Sequence, residues 1–156
     1  MIRAFRLAAL LAVLALALSA GPLAAADLSK GKTLYVPCYS RIYHGIKNQP
    51  FELTITLSVR NTDPKRAVTV TSVDYFDTSG KLVKHYLDAP VVLTPLMTVE
   101  YVVNQTDSTG GSGANFLVRW NCGEPASPLL VEAVMIGSSA QQGISFTSRG
   151  VAVAGQ

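Results

Sequence analysis

Metal and redox chemistry have little to work with in this chain, whose 156 residues include two histidines, two cysteines and three methionines. His44 and His85 stand alone, with no second His or Cys at ligand spacing, so neither a zinc site nor any other metal or cofactor is expected. No C-x-x-C pair is present, and nothing beside Cys38 or Cys122 would lower a thiol pKa, which argues against thiol–disulfide exchange as an activity. Charge is also scarce and balanced, at 15% of residues, with 13 Lys and Arg against 10 Asp and Glu. Arg3 and Arg6 account for two of the basic residues, and without them 11 face 10. Such a chain lacks the basic stripe a nucleic-acid binder carries, and no nucleic-acid partner is expected. The nucleophile elbow, the Walker loop and the calcium-binding EF-hand ladder are all missing. No segment beyond the amino terminus shows a helical period.

Long apolar runs are confined to Leu7–Leu18, too short for a bilayer span, which needs roughly 20 residues. That run follows a basic head, Met1 to Arg6, and leads through Gly21-Pro22 to Ala24-Ala25-Ala26. Basic head, short apolar middle and small-residue end are the marks of a cleavable secretory signal over residues 1–26. The mature chain, residues 27–156, is expected in the periplasm or outside the cell, without a transmembrane anchor after cleavage. About 130 residues suit a single domain with its own core.

Alternation runs through that domain. Phe51, Leu53, Ile55, Leu57 and Val59 share one face, and Glu52, Thr54, Thr56 and Ser58 the other. This period of two marks a strand with one buried and one wet face. Val68–Phe76 is rich in Val, Thr and Tyr but slips phase between Val70 and Val73, which predicts a bulge near Thr71-Ser72. Asp77-Thr-Ser-Gly80 reads as a hairpin turn, returning through an edge strand from Lys81 to Leu87. Thr98–Asn104, Asn115–Cys122 and Gly143–Arg149 read as further strands, and Leu129–Ile136, apolar on both sides, as a central strand covered on both faces. About eight short strands broken by frequent turns predict an all-β, single-domain antiparallel β-sandwich of Ig-like architecture, with a closed β-barrel as the alternative. Cys38 continues the row Leu34, Val36, and Cys122 the row Phe116, Val118, Trp120. In an oxidising compartment the two are expected to form a disulfide closing about 85 residues, nominally worth ~4 kcal/mol.

Two segments stand out as candidate binding surfaces. In Asp107–Asn115, Gly110, Gly111 and Gly113 suit a nest of backbone amides that binds an anion, with a flexible hairpin loop as the alternative reading. In the second, Gln141 and Gln142 precede a strand on which Ser145, Thr147 and Arg149 share one face and Ile144, Phe146 and Ser148 the other. A polar row closed by an arginine suits a sugar, a carboxylate or an extended peptide. His44, in Tyr39-Ser-Arg-Ile-Tyr-His44-Gly45, is the residue an exported hydrolase would use, with Ser40 or Ser145 as nucleophile. Asp74 and Asp77 lie three apart on a strand, on opposite faces, and do not form a catalytic pair.

Six stretches taken together carry a resemblance: Tyr35-Val-Pro-Cys-Tyr-Ser40, Ile42-Tyr-His-Gly45, Leu57-Ser-Val-Arg-Asn-Thr-Asp63, Val73-Asp-Tyr-Phe-Asp77, Gly110-Gly-Ser-Gly-Ala-Asn-Phe116 and Gln141-Gln-Gly-Ile-Ser-Phe-Thr-Ser-Arg-Gly150. In this order they resemble the bacterial family catalogued as domain of unknown function 3124. The resemblance implies an exported or envelope protein and no known activity or catalytic residue. The functional expectation is therefore a non-catalytic binding or interaction module whose partner is an envelope protein, a peptide or a glycan. The alternatives are a hydrolase built on His44 and a structural envelope component whose sheet edge pairs with another chain. Composition leaves the oligomeric state open.

Overall fold

The computed structural model describes residues 28–139 and 142–153, so the expected signal segment and Gln141 lie outside the described residues. Twelve strands are found among them: β1 (Ser29–Pro37), β2 (Arg41–His44), β3 (Gln49–Glu52), β4 (Thr54–Arg60), β5 (Val68–Phe76), β6 (Leu82–His85), β7 (Val91–Leu93), β8 (Thr98–Val103), β9 (Asn115–Ala126), β10 (Leu130–Ser139), β11 (Gln142–Arg149) and β12 (Val151–Val153). All pairings are antiparallel. A six-stranded sheet runs β12-β1-β9-β5-β6, with β7 on β5 as well, and a four-stranded sheet runs β11-β10-β4-β8. β2 and β3 form a separate hairpin. The sheets are open rather than closed into a barrel, and they pack face to face as a sandwich.

The alternation read in the sequence explains which face each sheet buries. Ile55, Leu57 and Val59 of β4 and Val131, Ala133 and Met135 of β10 meet Leu34 and Val36 of β1, Val70, Val73 and Tyr75 of β5 and Phe116, Val118 and Trp120 of β9 in one core. The predicted bulge in β5 is present as a register shift between Val70 and Ser72 against β9. The predicted Asp77–Gly80 turn closes through a Gly80 N–H to Asp77 carbonyl bond of 2.9 Å, with Gly80 at φ 80°. The strand after it lies at the sheet edge. β10 is central, as expected, but it is covered on one face alone. Its odd residues are buried, whereas Ile136 on the other face is 53% exposed. An apolar run broken only by Glu132 thus marks here a strand whose outer face is half-buried to exposed, not a strand between two layers.

The Cys38–Cys122 disulfide is not formed; both are free thiols. Register decides this. β1 and β9 are antiparallel neighbours in which Pro37 faces Asn115 and Gly31 faces Asn121. Cys38 therefore sits at one end of the strand pair and Cys122 near the other, roughly 25 Å away at ~3.3 Å per residue, far beyond the ~7 Å that a bridge spans between Cα atoms. Cys38 is fully buried, and that burial pushes its thiol pKa up. Cys122 Sγ, half-buried, donates instead to the Ser29 carbonyl at 3.3 Å. Adding dithiothreitol should consequently leave the thermal midpoint unchanged. A reductant-induced fall of several degrees would mean that the cysteines are bridged after all.

At the end of the sandwich where β4 leads into β5, a polar clasp replaces apolar packing. Asp63, 2% exposed, accepts from the amides of Lys65, Arg66 and Ser127 at 2.9–3.0 Å. These amide donors, led by Ser127, hold its carboxyl down at about 2. Asn61 beside it joins this loop to the β7–β8 turn.

Candidate functional site

β11 is the outer strand of the four-stranded sheet, and its sequence sets what it presents. Ile144, Phe146 and Ser148 face inward: the Phe146 ring lies 5.7 Å edge-on from Tyr39, and the Ser148 hydroxyl donates to the Pro37 carbonyl. Ser145, Thr147 and Arg149 face out and are exposed. Their cross-strand neighbours on β10 are Ile136, Val134 and Glu132, so the outer surface beside them mixes hydroxyl, aliphatic and charged groups.

The hydrogen-bond phase adds a second property. Gly150 N–H donates to the Val131 carbonyl at 2.8 Å, in register with the Glu132–Arg149 and Ala133–Ser148 pairs. In an antiparallel ladder such bonded pairs recur every second residue. Ser148, Phe146 and Ile144 therefore spend their main-chain groups on β10, while those of Gly143, Ser145, Thr147 and Arg149 point away from it. Among the described residues no strand lies on that side. The polar side chains and the unpaired amides thus belong to the same residues.

Exposed edges are ordinarily blunted by Lys, Pro, a bulge or shortness. β12 has three residues; β6 has four and carries Lys84; on β8 the Val102 carbonyl accepts from the Tyr86 hydroxyl at 3.3 Å. β11 runs eight residues in unshifted register, without Pro or Lys. Gln142, the first residue of β11, is exposed.

The glycine-rich loop is arranged differently from an anion nest. Gly111 N–H donates to Ser40 Oγ at 2.8 Å and Gly113 N–H to Thr78 Oγ1 at 2.9 Å. The Gly110 carbonyl accepts from the Thr78 amide at 2.9 Å and hydroxyl at 3.0 Å, and Arg41 Nη2 donates to the Ser108 carbonyl at 3.0 Å. Two of the three glycine amides are thereby committed to holding β1, the β5–β6 turn and the loop together. A Cβ at Gly110 would run into the Tyr75 hydroxyl, and one at Gly111, at φ 75°, would lie 2.6 Å from Thr78 Oγ1. The glycine loop lies against β2, and β10 lies against β3 of the same hairpin.

His44 lies on the outward part of that hairpin with its ring edge-on to Phe51 at 5.6 Å. It borders a cleft of about 190 Å³ with Pro50, Phe51, Glu52, Gln105 and Ser138. No carboxylate or nucleophile hydrogen-bonds to it among the described residues, and Ser40 Oγ is engaged with Gly111. The histidine that does have a carboxylate is His85, whose Nδ1 is 2.7 Å from Asp74 Oδ1. Asp74 is 6% exposed, and its Oδ2 accepts from Arg119 Nη1 at 2.7 Å. Sequence reading missed this group because its members are 11 and 45 residues apart and meet only through the β9-β5-β6 pairing. The legible signal was parity: Asp74 on β5 and Arg119 on β9 interrupt buried alternating rows with outward charges. Among the described residues no cluster of three or more His, Cys, Asp or Glu is arranged to hold a metal ion.

Comparison with known proteins adds little chemistry. No curated protein matches the chain. The solved structures include a Thermotoga maritima protein, titled "Crystal Structure of Thermotoga maritima 1070", similar at TM-score 0.46 and 9% identity over 77% of this chain and 92% of that one. A family model described as a protein of unknown function (DUF3124) matches residues 31–153.

Proposed function

The chain belongs to the DUF3124 family, described as proteins of unknown function, and we propose on the strength of its own surface that it is an exported, non-catalytic interaction module that takes up an extended peptide as an added strand on β11. The observation that carries this reading is the coincidence on β11 of unpaired amides and an exposed polar row in the least protected edge of the fold. In strand addition the main-chain bonds supply affinity and the alternating side chains supply selection. Gly143, Ser145, Thr147 and Arg149 would provide the bonds, and Ser145, Thr147, Arg149 and Gln142 the selection. The partner is a segment of an envelope protein, in keeping with a secretory signal over residues 1–26 and work in the periplasm or outside the cell.

Hydrogen exchange on the protein saturated with partner captured from envelope extract tests this directly. The amides of Gly143, Ser145, Thr147 and Arg149 should exchange quickly in the free protein and at least 10-fold more slowly in the complex. Thr147→Pro should abolish capture, because it removes an outward N–H and spares the bonds to β10. Equal capture by the proline variant, with those four amides still unprotected, would rule the edge out.

A further inference from the structure

The outer face of the six-stranded sheet carries a hollow of about 450 Å³, lined by Gly31, Lys32, Thr33, Arg119, Ala152 and Val153 together with Trp120. That volume lies within the range of small-ligand sites. The hollow belongs to the sheet opposite β11 and does not depend on the strand-addition reading.

Four features define what would fit. Gly31 stands at a register shift between β1 and β9, and a Cβ there would lie 2.5 Å from the Trp120 carbonyl oxygen, so no side chain can fill that position. No acidic residue is among the lining groups, whereas Lys32 and Arg119 are. Arg119 is held by Asp74 Oδ2 at 2.7 Å and Ser72 Oγ at 3.0 Å, and both bonds leave from Nη1. Its Nε and Nη2 donors have no partner among the described residues. Asp74 is itself fixed from the other side by His85. The arginine is thus pinned at one nitrogen while its head stays 47% exposed. Thr33 stands opposite both Arg119 and Val153 in register, so these three share one face and Val153 supplies an aliphatic surface there, whereas Ala152 and Lys32 pair with the core-facing Leu34 and Trp120.

We propose that this hollow binds a small organic carboxylate, its oxygens paired with the free edge of the Arg119 guanidinium and its aliphatic body resting across Thr33 on Val153. A planar carboxylate accepts two parallel bonds from one guanidinium edge, which a single ammonium cannot supply. Asp74 and Ser72 are positioning residues: they orient Arg119 without needing to touch the ligand.

The Trp120 indole is buried in the core on the other side of the sheet, so occupancy is read by isothermal titration calorimetry. The full-length protein would be titrated with hexanoate, 1-hexanol and inorganic phosphate. Hexanoate should give a saturable change, and the alcohol and phosphate should bind at least 10-fold more weakly. Arg119→Met should weaken hexanoate at least 10-fold. Arg119→Lys, which keeps a positive charge beside Asp74 and guards against loss of folding, should weaken it nearly as much. Asp74→Asn should weaken it less and leave the preference for hexanoate over hexanol in place. No saturable response to hexanoate, equal binding of hexanol or phosphate, or an Arg119→Lys variant that binds like the wild type would each overturn the assignment.

Discussion

Asn61→Ala is expected to remove about 3 kcal/mol of stability, because several buried carbonyls lose their donor at once at ~1–3 kcal/mol each. Asn61 is 2% exposed, and its Nδ2 reaches the carbonyls of Arg66 at 2.8 Å, Leu93 at 3.1 Å and Thr94 at 3.0 Å. Its Oδ1 accepts the Asp63 amide at 3.0 Å, and its own amide donates to Met97. One side chain thereby closes both the loop after β4 and the turn between β7 and β8. Alanine keeps the main-chain bond to Met97 but satisfies none of the groups that the side chain holds, and the site is too buried for water to do so freely. Asn61→Asp, nearly the same shape, should be at least as harmful, since it turns acceptor oxygens toward three carbonyls. Urea unfolding provides the measurement: the midpoint should fall with little change in slope. A loss below ~1 kcal/mol in both variants, no more than one ordinary hydrogen bond, would show that the clasp is dispensable.

Gly110→Ala should cost a similar amount by a different route, roughly 3 kcal/mol, at the upper end of what overpacking a rigid core entails. The backbone at Gly110, φ −70° and ψ −33°, is one that alanine adopts freely, so conformational strain is not the cause. The added Cβ would overlap the Tyr75 hydroxyl and lie 2.7 Å from Ala114 Cβ. Tyr75 cannot retreat: it is fully buried, with its ring 4.8 Å from that of Phe116. Its hydroxyl has no hydrogen-bond partner among the described residues, and burial pushes its pKa up. Removing that oxygen therefore makes room at little cost. Tyr75→Phe alone should be nearly neutral, and combined with Gly110→Ala should recover more than half of the loss in a double-mutant cycle. A double variant as unstable as the alanine variant alone would place the damage elsewhere in the loop.

These two cases also show where sequence reading succeeded and where it stopped. Gly110, Gly111 and Gly113 drew notice as a loop able to wrap an anion, but their lack of side chains serves close approach to Tyr75 and Thr78. Nothing along the chain ties position 110 to position 75 before the sheet brings them together. Asn61 lies in the loop after β4, outside any alternating row, and the depth of its burial depends on two loops distant in sequence. The inward and outward assignment on β11 was legible because it needs only parity along one strand. That β11 has no neighbour on one side among the described residues was not legible, because strand order is a property of the whole sheet.

The sequence by itself determined the all-β class, the core rows and the bulge in β5. Each follows from side-chain parity, which is set residue by residue within a single strand. Only the tertiary structure decided that Cys38 and Cys122 lie at opposite ends of a strand pair, that Asp74 gathers His85 and Arg119, and that β11 is the open edge. Those outcomes depend on which strands pair and in what register, and pairing is chosen by the packing of the whole core.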